Sequence, residues 1–239
     1  SKPAIVFLWR AFFDPSDDNE IIEELKNVQN QNKYKLILGV DEEGGFVTRV
    51  SRFKIYREEK FNSPKYYYEK GGYTLLEQEE KEKATLLKEL GFNLNLAPVA
   101  DISTNEDDFI YSRAFGEDKE KTSKFVKNMV TYANNNKINS CLKHFPGYGN
   151  NKDTHTDVVY DNRSYDEISN NDYEPFKAGI KAHVPSILVS HNIVESIDKN
   201  YPASLSKNIH NELRNKYDIE YLEMRVLYDD KDIPASLDW

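Results

Sequence analysis

Short apolar runs alternate with longer amphipathic stretches along this chain. The apolar runs predict buried strands, because each covers about five or six residues and leads into polar or glycine residues; they lie at 4–9, 36–40, 94–98, 140–144 and 186–191. Between them, apolar residues recur three or four positions apart, which predicts amphipathic helices at 20–30, 74–90, 119–134, 172–182 and 206–216. This alternation is typical of βα units around a parallel sheet.

Unusual polar residues cluster directly after these strands, namely Asp41, Asp101, Lys143 with His144, and His191. In a (β/α)8 barrel the C-terminal ends of the strands converge on one rim, which is where active sites lie. The chain contains no internal repeat and no Pro/Gly/Ser-rich linker. We therefore expect a single domain over 1–239 with an α/β fold.

Composition and net charge limit the classes of binding partner that we expect. Of 239 residues, 38% are hydrophobic and 31% are charged, as in a soluble globular protein. The net charge is −9 and the two signs are mixed along the chain, so we expect no nucleic acid or anionic lipid partner. No run approaches the roughly 18 apolar residues of a membrane span. Cys141 is the only cysteine, and its place in an apolar strand predicts a buried thiol.

The segment 41–45 (Asp-Glu-Glu-Gly-Gly) follows the second predicted strand. Asp41 could accept hydrogen bonds from hydroxyl groups, and the glycines let the backbone turn tightly beside a ligand. Arg49 follows closely enough to pair with such a carboxylate or to donate to a ligand. Taken alone, however, the segment is more typical of an acidic turn with solvated carboxylates.

Arg113 lies in a polar loop beside an aromatic residue and a glycine. Its forked guanidinium could grip sugar hydroxyls or a carboxylate. A surface salt bridge is an equally good interpretation of this residue.

The segment 143–149 (Lys-His-Phe-Pro-Gly-Tyr-Gly) gathers a cation, an imidazole and a rigid turn directly after a strand. We interpret it as functional, because Lys143 and His144 rarely meet beside a constrained loop by accident. Asp153 and His155 follow in a polar stretch. A carboxylate can set the tautomer of a nearby imidazole and raise its basicity, which makes His155 a candidate general acid/base. An exposed loop histidine is the alternative.

Other chemistries lack their motifs in this chain. No Gly-x-Ser-x-Gly marks a serine hydrolase, and neither Gly-x-Gly-x-x-Gly nor a Walker-type loop marks a nucleotide enzyme. No two histidines have the helical spacing of a zinc motif. We expect no metal and no organic cofactor, and we interpret His183 and His210 as structural.

Taken in order, five segments resemble the β-N-acetylhexosaminidase branch of glycoside hydrolase family 3; they are 41–45, 93–101, 112–116, 143–149 and 202–206. The resemblance runs from about residue 4 to at least residue 216. It implies a TIM-type (β/α)8 barrel that binds a non-reducing terminal N-acetylglucosamine. The residues that match the sugar-binding positions are Asp41, Arg49, Arg113, Lys143 and His144.

The resemblance also implies a retaining mechanism in which an Asp153–His155 dyad replaces the usual second carboxylate. The family's nucleophile is an aspartate after a later strand, within Asp-Asp-Leu-Glu-Met. Residues 226–230 resemble the first half of this motif and make Asp229 the candidate, whereas 221–224 resemble its second half and leave no aspartate at the position. Phe46 and Tyr148 also depart from the pattern, where the family usually has arginine and histidine.

By the same resemblance, the chain starts at what looks like the second barrel strand and stops before an eighth, so we expect a barrel that is incomplete at both termini. The leading hypothesis is a glycosidase acting on peptidoglycan or related glycans, in the bacterial cytoplasm or outside the cell envelope. A catalytically inactive barrel that binds N-acetylated sugars is the alternative. Phosphorolysis is a third hypothesis, because a histidine acid/base tolerates an incoming phosphate better than a carboxylate does.

Overall fold

The computed structural model of the chain describes residues 5–7, 18–116, 118–154, 158–217 and 221–222. Its main feature is a parallel sheet of six strands in the order β1-β2-β5-β6-β8-β10. The strands are β1 (Ile5–Phe7), β2 (Ile37–Val40), β5 (Leu94–Asn95), β6 (Asn139–Phe145), β8 (Ser186–Val189) and β10 (Tyr221–Leu222). All five predicted strands are confirmed as elements of one parallel sheet, and β10 adds a sixth.

Two short strand pairs accompany the sheet. The strands β3 (Glu42–Gly44) and β4 (Val47–Thr48) form an antiparallel hairpin directly after β2. The strands β7 (Tyr160–Asp161) and β9 (Ile193–Val194) pair in parallel. Both pairs lie beyond C-terminal ends of the sheet strands, at the edge where polar residues were expected.

The predicted strand 94–98 is regular only at β5. Pro98 has no N–H group to donate, so a regular ladder cannot continue through it. The chain nevertheless stays beside β6, where Ala97 and Pro98 carbonyls accept from the backbone N–H groups of Cys141 and Lys143. This keeps the following Asp101 next to the end of β6.

The helices surround the sheet at or near the predicted positions. They are α1 (Asp18–Asn30), α2 (Pro64–Glu89), α3 (Lys119–Asn135), α4 (Tyr165–Glu167), α5 (Tyr173–Lys181) and α6 (Lys207–Tyr217). A π-helical turn (Ile168–Asp172) precedes α5, and a 3-10 turn (Ala203–Leu205) precedes α6.

The helix α2 begins well before the predicted residue 74. Ser63 caps it by accepting from the backbone N–H of Tyr66, and Pro64 occupies the first turn. Gly71 and Gly72 then leave helical geometry and kink the helix. The kink interrupts the apolar period, which is why the pattern indicated only the second part.

Two large apolar clusters stabilise this arrangement. One packs α3, α5 and α6 against the sheet around Phe125, Leu142 and Phe176, and the other packs α1 and α2 around Leu25 and Leu87. Cys141 is buried, as predicted. Among the described residues, no helix has the length and apolarity needed to cross a membrane.

Candidate active site at the C-terminal ends of the strands

Lys143 forms the centre of the candidate site. It lies near the end of β6, and its Nζ atom is 2.7 Å from Asp41 Oδ1 and 2.5 Å from Glu43 Oε1. Its side chain is only 2% exposed. Burying an ammonium group is costly unless carboxylates pair with it, so both partners stabilise this position. The fold thereby brings the predicted residues Asp41 and Lys143 into direct contact.

Arg113 reaches the same carboxylate from the loop before α3. Its Nε and Nη2 atoms donate to the two oxygens of Glu43 at 3.0 and 2.7 Å, which is a bidentate pair. Both side chains are largely buried. The interpretation of Arg113 as a surface salt bridge is therefore wrong.

These contacts determine the charge states of the cluster. Burial alone would raise the pKa of Glu43, but Arg113 and Lys143 outweigh it and hold this pKa well below its usual range. Burial likewise lowers the pKa of Lys143, whereas Asp41 and Glu43 raise it by more, so the pKa lies above the ordinary value. Glu43 and Lys143 are consequently both ionised near neutral pH.

His144 is held by Asp101, which follows β5. The Oδ2 atom of Asp101 lies 2.7 Å from His144 Nδ1 and accepts from the His144 backbone N–H at 3.1 Å. On the other side of the ring, Arg113 Nη2 lies 3.3 Å from Nε2. Because a carboxylate only accepts and a guanidinium only donates, these partners favour the neutral tautomer with the proton on Nδ1. Burial lowers the pKa of His144, which agrees with this assignment.

The β3–β4 hairpin is organised by Glu42. Its Oε2 atom accepts from the backbone N–H groups of Arg49 and Val50, each at 2.8 Å, and its other oxygen accepts from the Ser51 hydroxyl. The hairpin thus fixes the backbone of Arg49 beside the site. The partner of Asp41, however, is Lys143 rather than Arg49. Ligand binding by Arg49 stays a prediction.

Sequence reasoning missed the structural role of Glu42 and Glu43. Both are buried, so the interpretation of segment 41–45 as a solvated acidic turn is wrong. The position directly after a strand was the available signal. A second missed group is Lys83 of α2, whose buried Nζ lies 3.2 Å from Glu80 and 3.3 Å from the Glu43 carbonyl. In the sequence of a charged helix, nothing distinguishes the buried Glu80–Lys83 pair from an ion pair exposed to solvent.

The turn 145–149 has little space around its glycines. A Cβ atom on Gly147, whose φ is +126°, would lie 2.4 Å from Asp172 Oδ1. Beneath the turn, Arg163 pairs with the buried carboxylates of Asp161 and Asp172 and donates to the Gly147 carbonyl at 3.2 Å. Close packing, in addition to the positive φ, explains the glycine at position 147.

Of the three predicted catalytic residues, the structure describes one. Asp153 lies in the loop after the turn, and the following Thr154 is buried. His155 and Asp229 lie outside the described residues, so their roles stay predictions. Of the other histidines, His183 is exposed at the end of α5, and His210 lies 2.8 Å from the Ser204 carbonyl. The described residues include no group of three or more His, Cys, Asp or Glu side chains arranged to hold a metal ion.

The sequence matches a known protein family. Residues 4–220 match the family model described as glycosyl hydrolase family 3 N terminal domain. A β-hexosaminidase of Hydrogenovibrio crunogenus is 31% identical over 202 residues, which is 80% of this chain and 56% of the relative. A β-hexosaminidase of Nitrosomonas eutropha is 25% identical over 223 residues, covering 89% of this chain and 61% of the relative.

The fold also matches solved structures. Native NagZ from Neisseria gonorrhoeae superposes with a TM-score of 0.75 at 23% identity, over 89% of this chain and 62% of that one. At this identity the likeness concerns the fold alone. The chain spans little more than half the length of the two curated relatives.

Proposed function

Because the chain belongs to glycosyl hydrolase family 3, we propose that it is a β-N-acetylhexosaminidase that releases a non-reducing terminal β-linked N-acetylglucosamine. The observation that carries this proposal is the convergence of four side chains from three parts of the chain: Asp41 after β2, Arg113 from the loop before α3, and Lys143 and His144 near the end of β6. These are the residues whose motifs resemble the sugar-binding positions of the family. The relatives named β-hexosaminidase support the same branch.

The cluster suits recognition of sugar hydroxyls. Carboxylate oxygens accept from hydroxyl hydrogens, whereas ammonium and guanidinium groups donate to hydroxyl oxygens. Their mutual ion pairs hold both kinds of group in fixed directions, so little conformational entropy is lost when a ligand binds. Peptidoglycan or a related N-acetylglucosamine-containing glycan is the proposed natural substrate.

The proposed chemistry is a double displacement with retention of configuration. Asp229 attacks the anomeric carbon, and His155 donates a proton to the departing glycosidic oxygen. His155 then removes a proton from water, which attacks the glycosyl-enzyme intermediate and releases Asp229. Asp153 orients the imidazole of His155. These residues need no metal or organic cofactor for any of these steps.

The register of β10 supports Asp229 over the alternative placement of the nucleophile motif. Tyr221 pairs with Ser186, the first residue of β8. Residues 221–222 therefore lie toward the N-terminal edge of the sheet, opposite the candidate site. A nucleophile at the C-terminal edge of the sheet has to come later in the chain than residues 221–222, as Asp229 does. From the resemblance to glycoside hydrolase family 3, we also propose that the parallel sheet is part of a single (β/α)8 barrel domain.

A chromogenic assay with 4-nitrophenyl N-acetyl-β-glucosaminide tests the proposal. We expect turnover by the wild type and a loss of kcat of about 100-fold or more in His155→Ala and Asp229→Ala, given the usual contribution of such groups. His183→Ala and Asp166→Ala, which change an exposed histidine and an exposed aspartate, make matched controls that retain activity. Proton NMR of the first product should show the β anomer.

Three outcomes would overturn parts of the proposal. Measurable binding of N-acetylglucosamine by calorimetry without turnover would mean an inactive sugar-binding barrel. Faster product release with added phosphate, together with a sugar phosphate as product, would mean phosphorolysis. Equal activity of Asp229→Ala and wild type would remove Asp229 as the nucleophile.

A further inference from the structure

Tyr148 connects the turn 143–149 to the loop that carries Asp153. Its side chain is only 2% exposed. Its hydroxyl meets Thr154 twice, because the Thr154 backbone N–H donates to the phenolic oxygen at 2.9 Å and the phenol donates to Thr154 Oγ1 at 3.0 Å. The side chain thus fixes both the backbone and the side chain of Thr154.

Tyr148 is itself rigidly placed. Its backbone N–H donates to Asp101 Oδ1 at 2.7 Å, while the other oxygen of Asp101 holds His144. The ring lies edge-on to His144, with centroids 5.5 Å apart, and packs at the same distance against Phe109. The Asp101 carboxylate therefore fixes both the imidazole of His144 and the backbone of Tyr148.

We propose that Tyr148 is a positioning residue that holds Thr154, and with it the adjacent Asp153, at a set place relative to His144. This inference rests on the proposed function, in which the acid/base dyad flanks Thr154. Small misplacements of catalytic groups can reduce rates by about 100-fold. Fixing the backbone between the two dyad residues is hence a direct means of controlling the rate.

The phenol is well suited to this task. A hydroxyl can accept one hydrogen bond and donate another at the same oxygen, whereas a single imidazole nitrogen can do only one of these. The histidine that the family usually has at this position could therefore not reproduce both contacts from one atom. Burial raises the pKa of Tyr148, so the hydroxyl keeps the proton that it donates.

The test uses Tyr148→Phe in the full chain, which removes the hydroxyl and keeps the ring. We expect kcat to fall by about 10- to 100-fold with KM within about twofold, because the acid/base is displaced while the sugar-binding cluster is unchanged. The loss should be larger for a methylumbelliferyl glycoside than for a dinitrophenyl glycoside, since the better leaving group depends less on protonation. Tyr160→Phe, the same change at an exposed tyrosine, should behave as wild type.

A readout that does not depend on activity accompanies the kinetics. Hydrogen exchange at the Thr154 amide should accelerate in Tyr148→Phe, because that amide loses its acceptor. Thr154→Val removes only the hydroxyl acceptor and should give a smaller kinetic loss, which covers the case that Tyr148→Phe does not fold.

The outcomes separate the two proposals. An inactive wild type with faster Thr154 exchange in Tyr148→Phe would support the anchor and overturn the proposed function. Wild-type kcat on both substrates with unchanged exchange would overturn the anchor. Equal losses on both substrates without a change in exchange would overturn it too, because they would indicate a general structural defect.

Discussion

Replacing Glu43 by glutamine should destabilise the protein strongly, because this carboxylate neutralises two buried cations. Lys143 keeps Asp41 as a partner, but Arg113 loses its bidentate carboxylate. Leaving one buried charge unpaired costs about 3–5 kcal/mol. For a domain of this size, each kcal/mol lowers Tm by about 2–4 °C. We therefore expect Tm to fall by about 6–20 °C in Glu43→Gln.

The assay is thermal unfolding followed by circular dichroism at pH 7, with Glu23→Gln as the matched control. Glu23 makes an ion pair with Lys26 at 3.1 Å, but both side chains are more than half exposed. Such pairs contribute less than about 1 kcal/mol. A Glu43→Gln variant that melts within about 2 °C of wild type would refute the reasoning, because the two cations would then not need this carboxylate.

The dependence on pH provides an independent check of the same interaction. The pKa of Glu43 is held below its ordinary value in the folded state, so its contribution is complete above about pH 4.3 and is lost as pH falls below that value. At about pH 3.3, one unit below the ordinary pKa, the difference in unfolding free energy between wild type and Glu43→Gln should be about 1.4 kcal/mol smaller than at pH 7. An unchanged difference would contradict the ion-pair assignment.

Three further predictions concern the surroundings of the cluster. Gly147→Ala should lower the free energy of unfolding, measured with urea, by about 2–6 kcal/mol, because the position has a positive φ and the new Cβ atom would clash with Asp172. Arg163→Met should cost about 3–5 kcal/mol in the same assay, since it leaves the buried carboxylates of Asp161 and Asp172 unpaired. Burial lowers the pKa of His144, so the neutral imidazole stabilises the fold above about pH 6.5, and this stabilisation is lost as the pH falls below that value. Between pH 7 and 5.5, the free energy of unfolding should therefore fall more in wild type than in His144→Gln.

The sequence predicted the place of the site better than its internal contacts. The alternation of strands and helices indicates a parallel sheet, and in such a sheet every C-terminal strand end faces the same side. The sequence alone therefore predicts that Asp41, Lys143 and His144 lie at one edge of the sheet. Which carboxylate pairs with which cation depends on distances between segments far apart in the chain, and no local pattern carries that information.

Glu43 illustrates the limit. Its buried state depends on Arg113, 70 positions later, and on Lys143, so a local view can only describe an acidic turn. Lys83 is similar, because its burial follows from how α2 packs beneath the Glu43 carbonyl. In the sequence, Tyr148 stands out only as a departure from the family pattern, since its contact with Thr154 requires the loop to fold back over the turn.

The charge balance of the site favours hydrolysis over phosphorolysis. Arg113 and Lys143 pair with the carboxylates of Asp41 and Glu43, and a third carboxylate, that of Asp101, holds His144, so the cluster contains two cationic and three carboxylate side chains. His144 adds no charge, because its partners favour the neutral ring. An incoming phosphate would need an excess of positive charge to offset the loss of its hydration. A neutral sugar and a water molecule need none, and ion pairs that neutralise one another still leave oriented donors and acceptors for hydroxyl groups.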